Sequence, residues 1–175
     1  MTSVLFIIAP VSFRDEELLI PRQILSEAGY TCLVASLTLE PCVGMLGATV
    51  TPDLLVSSVN LDDFSCVVMV GGSGVTEIFE DKRLLELFDD AYRKGLLLGG
   101  ICLGPMVLAR SGILRGKQAT VYKTEQSLAV LRDSGCAYQP DDLVLDGRVL
   151  TASGPEHAKA FGKKLLELLF NHGTH

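Results

Sequence analysis

The residues best equipped for chemistry lie in Gly100-Ile101-Cys102-Leu103-Gly104. A cysteine stands among small residues where an apolar strand, Leu96-Leu97-Leu98, gives way to an apolar helical segment, Pro105 to Ser111, that stops at Gly112. The spacing is that of a nucleophile elbow with Cys at its centre, because a sharp strand-to-helix turn leaves no room for side chains beside the reactive one. Such an elbow predicts positive φ at Cys102, a conformation uncommon outside Gly and Asn. It also sets the sulfur at a helix N-terminus, where free N–H groups and the helix dipole favour an anion and lower a thiol pKa. The chemistry would be that of a thiolate: addition to a carbonyl, attack on an acyl group, or oxidation. The competing reading makes Cys102 a small buried hydrophobe, the common fate of a free cysteine.

The elements that must position this cysteine follow from hydrophobic patterning. Val4 to Ala9 reads as a buried strand ending at Pro10. The acidic run Asp15-Glu16-Glu17 opens a helix that Gly29 closes, with Pro21 inside it as an expected kink. Thr31 to Leu37 is a second strand, and Cys42 to Thr51 a small β excursion. Cys66 to Val70 is the clearest strand, closed by Gly71-Gly72-Ser73-Gly74. Leu84 to Lys94 is an amphipathic helix ended by Gly95. Beyond the elbow come a short strand, Gln118 to Tyr122, and a short helix, Glu125 to Arg132. Asp146-Gly147 turns a hairpin between Leu143 to Asp146 and Arg148 to Ala152. Pro155 opens a last helix running to about Phe170, with residues 171 to 175 as a frayed tail.

Strands alternating with helices predict a mostly parallel sheet covered on both faces. Active sites in such sheets gather at the carboxyl ends of strands. Glycine clusters 71–74 and 99–104 both end strands, so they should meet at one sheet edge.

Bulk properties bound the function. A chain of 175 residues with 48% hydrophobic content suits a single domain over residues 1–175. Net charge −6 and the lack of a basic run argue against nucleic acid. The N-terminus lacks the charged region and cleavage site of a signal peptide, and no apolar run suits a membrane helix, so a cytoplasmic protein is expected. Five cysteines without a CxxC pair indicate free thiols in a reducing compartment, with Cys32, Cys42, Cys66 and Cys136 as packing residues. With three His, two of them in the last four residues, no metal site is implied, and no organic cofactor.

Four segments together resemble the ThiJ/PfpI superfamily, which includes the Parkinson disease deglycase and the PfpI protease-like proteins. They are Glu17-Leu18-Leu19-Ile20-Pro21, Val70-Gly71-Gly72, Ile101-Cys102-Leu103-Gly104-Pro105, and Val144-Leu145-Asp146-Gly147 with Thr151-Ala152-Ser153-Gly154-Pro155. The resemblance spans nearly the whole chain. It implies a flavodoxin-like three-layer α/β sandwich and a homodimer or higher homo-oligomer. It implies a nucleophile at Cys102, a first-helix carboxyl at Glu17 that approaches the sulfur, and an anion hole from the backbone N–H groups of Gly72 and Leu103. A protonated, buried Glu17 can donate a hydrogen bond to a thiolate or to its oxidised forms.

The departures from the family matter as much. Protease-like and glyoxalase-like members carry a His directly after the cysteine, where this chain has Leu103. The deglycase branch carries a His in the segment that here ends in Tyr122, a hydrogen-bond donor but a poor base at neutral pH. His157 is the one His outside the C-terminal tail, an auxiliary candidate or a simple cap. The leading expectation is therefore carbonyl (glyoxalase- or deglycase-like) or oxidative-stress chemistry at Cys102, on a small aldehyde such as methylglyoxal or on a glycation adduct. A non-catalytic, stress-linked dimeric binding or chaperone protein is the first alternative. A cysteine hydrolase, peptidase- or amidotransferase-like, is the second, and it needs an imidazole base.

Overall fold

The computed structural model describes residues 3–173. In chain order the strands and helices are β1 Ser3–Ile7, β2 Val11–Phe13, α1 Asp15–Glu27, β3 Thr31–Ser36, β4 Cys42–Gly44, β5 Thr49–Val50, β6 Leu54–Leu55, β7 Cys66–Met69, α2 Lys82–Arg93, β8 Leu97–Ile101, α3 Pro105–Arg110, β9 Gln118–Ala119, α4 Glu125–Asp133, β10 Ala137–Tyr138, β11 Leu143–Asp146, β12 Val149–Ala152 and α5 Ala158–Gly173. A seven-stranded sheet has the order β11-β12-β8-β7-β1-β3-β6. All its neighbours pair in parallel except the β11–β12 hairpin, which is antiparallel through Asp146-Gly147 as expected.

Parallel strands covered on both faces read as continuous apolar runs, and β1, β7 and β8 are buried along their whole length. The two glycines inside β8 show how the layers close on them. A Cβ on Gly99 would meet Phe161 of α5 at 2.9 Å, and one on Gly100 would meet Leu108 of α3 at 2.9 Å. Successive strand residues face opposite sides, so α5 and α3 sit on opposite faces of the same strand. α1 packs beside α5, where a Cβ on Gly162 would approach Ile24 at 2.9 Å and Pro21 at 3.0 Å. α2 and α4 flank α3 on the other face. The result is a three-layer, flavodoxin-like α/β sandwich.

Several element boundaries differ from those that patterning predicts. The strand before the cysteine runs through Gly99-Gly100 to Ile101 instead of stopping at Leu98, because parallel pairing with β7 and β12 continues across the glycines. The excursion is a three-stranded sheet, β2-β4-β5, with β2 contributed from beyond Pro10. A segment of three residues carries too little periodicity to be recognised as a strand. α5 continues to Gly173, past the expected end near Phe170; residues 174 and 175 of the expected tail lie outside the described residues.

One carboxylate from α1 helps tie the excursion to the main body. Asp15, 5% exposed at the start of α1, accepts hydrogen bonds from the backbone N–H groups of Leu46 (2.9 Å) and Ala48 (2.8 Å). A Cβ on Gly44 would occupy the same space as this carboxylate. Asp15→Ala should strand both donors and cost about 1–3 kcal/mol, whereas Asp15→Asn, which keeps one acceptor, should cost less. Denaturant midpoints measure the two costs, and limited proteolysis should show the first new cleavage between residues 44 and 48 in the alanine variant.

Candidate active site

Three strand ends bring the site together. β1 leads into the segment that carries Arg14 and the start of α1, β7 into Val70-Gly71-Gly72, and β8 into Cys102. The two glycine clusters meet at one sheet edge, as their positions predict. A Cβ on Gly71 would lie 2.5 Å from Oε1 of Glu17 and 2.7 Å from the Cβ of Cys102, and would collide with the carbonyl of Ile101. Gly104 is equally constrained, since its Cβ would run into the carbonyl of Met69. Gly72 has φ +112°, and its Cβ would fall on the backbone of Ser12, Phe13 and Arg14. These positions are glycine because main chains cross there with no space for a side chain.

Cys102 has φ +62°, one of two positive-φ residues other than glycine among the described residues. The conformation is held from both sides. Its N–H donates to Ala152 (2.9 Å) and its carbonyl accepts from Tyr122 (2.7 Å). Strain of this kind persists only where surrounding bonds over-determine it. The residue is 6% exposed. Backbone N–H groups of Gly72 and Leu103 donate toward its sulfur, and the Glu17 side chain is its hydrogen-bond neighbour.

Glu17 is fully buried. Its Oε1 accepts from the Gly71 N–H at 2.9 Å, while Oε2 has no well-formed hydrogen bond among the described residues. Burial pushes its carboxyl up to about 8, against the opposing pull of the Cys102 and Gly71 hydrogen bonds and the Arg14 charge. At neutral pH it is largely a neutral acid, as the sequence reading requires.

The thiol behaves differently from the expectation. Burial, followed by the neighbouring Glu17 charge, raises its pKa above the ordinary thiol value, and the Gly72 and Leu103 N–H groups only partly offset this. The helix dipole contributes little. α3 has six residues and begins at Pro105, which has no N–H, three positions beyond the sulfur. Thiol and carboxyl thus compete for protons as a pair, and their titration belongs to the pair.

The remaining sequence candidates separate. Tyr122 stands on the rim of the cleft over Cys102, 46% exposed. His157 does not line that cleft. Its Nε2 lies 3.3 Å from Asp142 and 3.3 Å from Glu156. Among the described residues no group of three or more His, Cys, Asp or Glu is placed to hold a metal ion, and no helix is long and apolar enough to cross a membrane.

Three residues enter the site that sequence reasoning passed over. The cleft, about 370 Å³, is lined by Arg14, Met45 and Glu156 as well as by Cys102. Met45 arrives from the β4–β5 turn, and its sulfur accepts from the Ser73 N–H at 3.4 Å. Arg14 was hidden in a charged run that reads as a solvated helix start. The available signal was a lone cation three residues before a glutamate that must be buried.

An uncharacterised protein of Methanocaldococcus jannaschii is 41% identical to this chain over 167 residues, which is 95% of this chain and 82% of that one. A glutathione-independent glyoxalase of Caenorhabditis elegans is 29% identical over 95% of this chain and 88% of its own. Among solved structures, a ThiJ/PfpI domain protein from Brachyspira murdochii superposes with a TM-score of 0.92 at 27% identity, covering 97% of this chain and 96% of that one. The DJ-1/PfpI family model matches residues 2–168, and with the fold and the cysteine elbow in agreement the chain belongs to the DJ-1/PfpI family.

Proposed function

We propose that Cys102 is a nucleophile for small reactive carbonyl compounds, with 2-oxoaldehydes such as methylglyoxal as the primary substrates and early glycation adducts as related ones. The observation that carries this reading is the pairing of a strained, donor-flanked Cys102 with a Glu17 carboxyl that is neutral near pH 7. The name of the nematode relative, a glyoxalase that needs no glutathione, is consistent with a thiol supplied by the protein itself.

The steps balance with these groups alone. The reacting state is the minor one in which the pair has lost a single proton and the remaining one sits on Glu17, leaving the sulfur a thiolate that adds to the aldehyde carbon. A C–S bond forms, and the carbonyl oxygen takes the proton from Glu17. The Gly72 and Leu103 N–H groups stabilise the oxyanion as it develops. Glu17, now a carboxylate, removes the hydrogen from that carbon as a proton and returns it to the adjacent carbon, while the hydroxyl proton passes from the first oxygen to the second through the enediol. The product is a thioester at Cys102. Water hydrolyses it to a 2-hydroxy acid, and the thiol is regenerated. Neither an external redox partner nor a metal is needed for the balance.

The hydrolase reading is weaker because it needs an imidazole at the sulfur, and His157, which does not line the cleft, is engaged with Asp142 and Glu156. Oxidation of the same thiolate by two equivalents of a peroxide, through the sulfenate, with Glu17 donating to the resulting sulfinate, is a compatible second activity.

Cys102→Ala should abolish methylglyoxal consumption, and Glu17→Gln should lower kcat by about 10²- to 10⁴-fold, both followed by the loss of the dicarbonyl and the appearance of the hydroxy acid. Full activity in Cys102→Ala would defeat the proposal. A separate prediction concerns stability. Glu17 has a folded pKa of about 8 against an ordinary 4.5. Its contribution is therefore fully present below pH 4.5 and is lost as pH rises through 8. Glu17→Gln removes this dependence. The variant should gain stability relative to the parent as pH climbs from 4.5 to 8 and then hold a constant margin, on the order of a few kcal/mol. Thermal unfolding across pH measures the margin, and a margin that does not change with pH would mean Glu17 ionises normally.

A further inference from the structure

Arg14 is placed and held as an anion-binding group, yet the steps above leave it unused. Its backbone is fixed at the site, with its N–H donating to the Gly71 carbonyl at 2.9 Å. Its guanidinium is oriented by Glu16, which accepts from Nε at 3.0 Å and from Nη2 at 3.0 Å. This bidentate grip fixes the plane of the fork. It leaves both Nη1 hydrogens without an acceptor among the described residues, on a side chain that is 28% exposed. Arg14 and Cys102 line the same cleft. The electrostatic influence of Cys102 and Glu17 on Arg14 adds to the larger effect of Glu16, so the cation lies within range of the reacting atoms. The other charged side chain of the cleft, Glu156, has an oxygen 3.3 Å from His157 and so has a partner of its own.

We propose that Arg14 is a specificity-determining residue of this cleft, extending its range from neutral 2-oxoaldehydes to carbonyl compounds that carry a carboxylate near the reacting carbon. The open end of the guanidinium, one N–H of Nη1 beside the outer N–H of Nη2, matches a carboxylate in geometry as well as charge. In the proposed steps the nearest neutral donors, the N–H groups of Gly72 and Leu103, serve the sulfur and the oxyanion that develops on the attacked carbon. The substrate's own carboxylate therefore falls to Arg14. The same contact holds the carboxylate of the hydroxy-acid product until it leaves.

The inference rests on Cys102 as the reacting atom but not on turnover, so the test avoids turnover. Iodoacetate and iodoacetamide both alkylate a thiolate, forming a C–S bond and releasing iodide; they differ by a carboxylate against a neutral amide. The ratio of their rate constants at Cys102, located by peptide mass, reports anion recognition independently of thiol ionisation. In the parent protein the iodoacetate-to-iodoacetamide ratio should exceed that of free cysteine and fall as salt is raised. Arg14→Gln should lower the ratio about tenfold, and Arg14→Lys should restore part of it. Glyoxylate should protect Cys102 from iodoacetamide better than glyoxal does, and lose that advantage in Arg14→Gln. If Arg14→Gln changes both rates equally, Arg14 acts on the thiol and not on the ligand, and the inference is overturned while the proposed function stands. If neither reagent modifies Cys102, both fall. Should Arg14→Gln fail to fold, the salt dependence of the parent ratio and the Arg14→Lys ratio decide the matter alone.

Discussion

The contact on which the site depends is the one at Gly71, where a buried carboxyl, a cysteine and two strand ends share space that has no room for a methyl group. Glu17 reaches the sulfur because the Gly71 N–H anchors one of its oxygens at 2.9 Å. The other backbone group of the same residue is fixed by the Arg14 N–H, which donates to the Gly71 carbonyl. α1 is thus docked at its first turn on the strand end it serves. A buried carboxyl is costly to ionise, and its first-turn neighbours divide the task of holding it there. Asp15 ties down the excursion, Glu16 orients Arg14, and Glu17 faces the sulfur. Three consecutive acidic side chains of one helix therefore serve three different structural purposes.

The same crowding explains why burial, more than the helix end, governs the thiol. A cysteine at 6% exposure beside a carboxyl has little water to stabilise its charge. What it has are two backbone donors and one acid, all held by bonds that exist before any substrate arrives. The strain at Cys102 belongs to this arrangement. Its positive φ is maintained by bonds to Ala152 and Tyr122, so the sulfur is held toward the cleft without flexible support.

Much of this was legible in the residues. The elbow was readable because its chemistry demands small neighbours at fixed offsets, and positive φ at Cys102 followed from that pattern. The alternation of apolar strands with helices gave the parallel sheet, and the Asp-Gly pair gave the antiparallel edge hairpin. Glu17 was assigned through family resemblance, since its own sequence context, an acid among acids, looks like solvent. Burial is a tertiary property, and nothing in Asp15-Glu16-Glu17 distinguishes the residue that turns inward. Arg14 and Met45 were missed for the same reason: both reach the cleft from segments that local periodicity assigns elsewhere. The expected drop in thiol pKa failed because a strand-to-helix pattern shows that a helix begins but not how far from the sulfur, nor how deeply the sulfur is buried.

The two walls of the cleft differ in how they are attached. The floor, at Gly71, Gly72 and Cys102, is built from strand ends of the main sheet, where a change of one atom meets main chain. Met45 belongs instead to a hairpin turn held to the body by the Asp15 carboxylate and by its own contact with the Ser73 N–H. A lineage built on such a fold can exchange the hairpin residue that lines the cleft while the strand-end floor stays fixed. Sequence variation at the cleft mouth should therefore be concentrated at residues 45 and 46, since Gly47 is held at φ +98°.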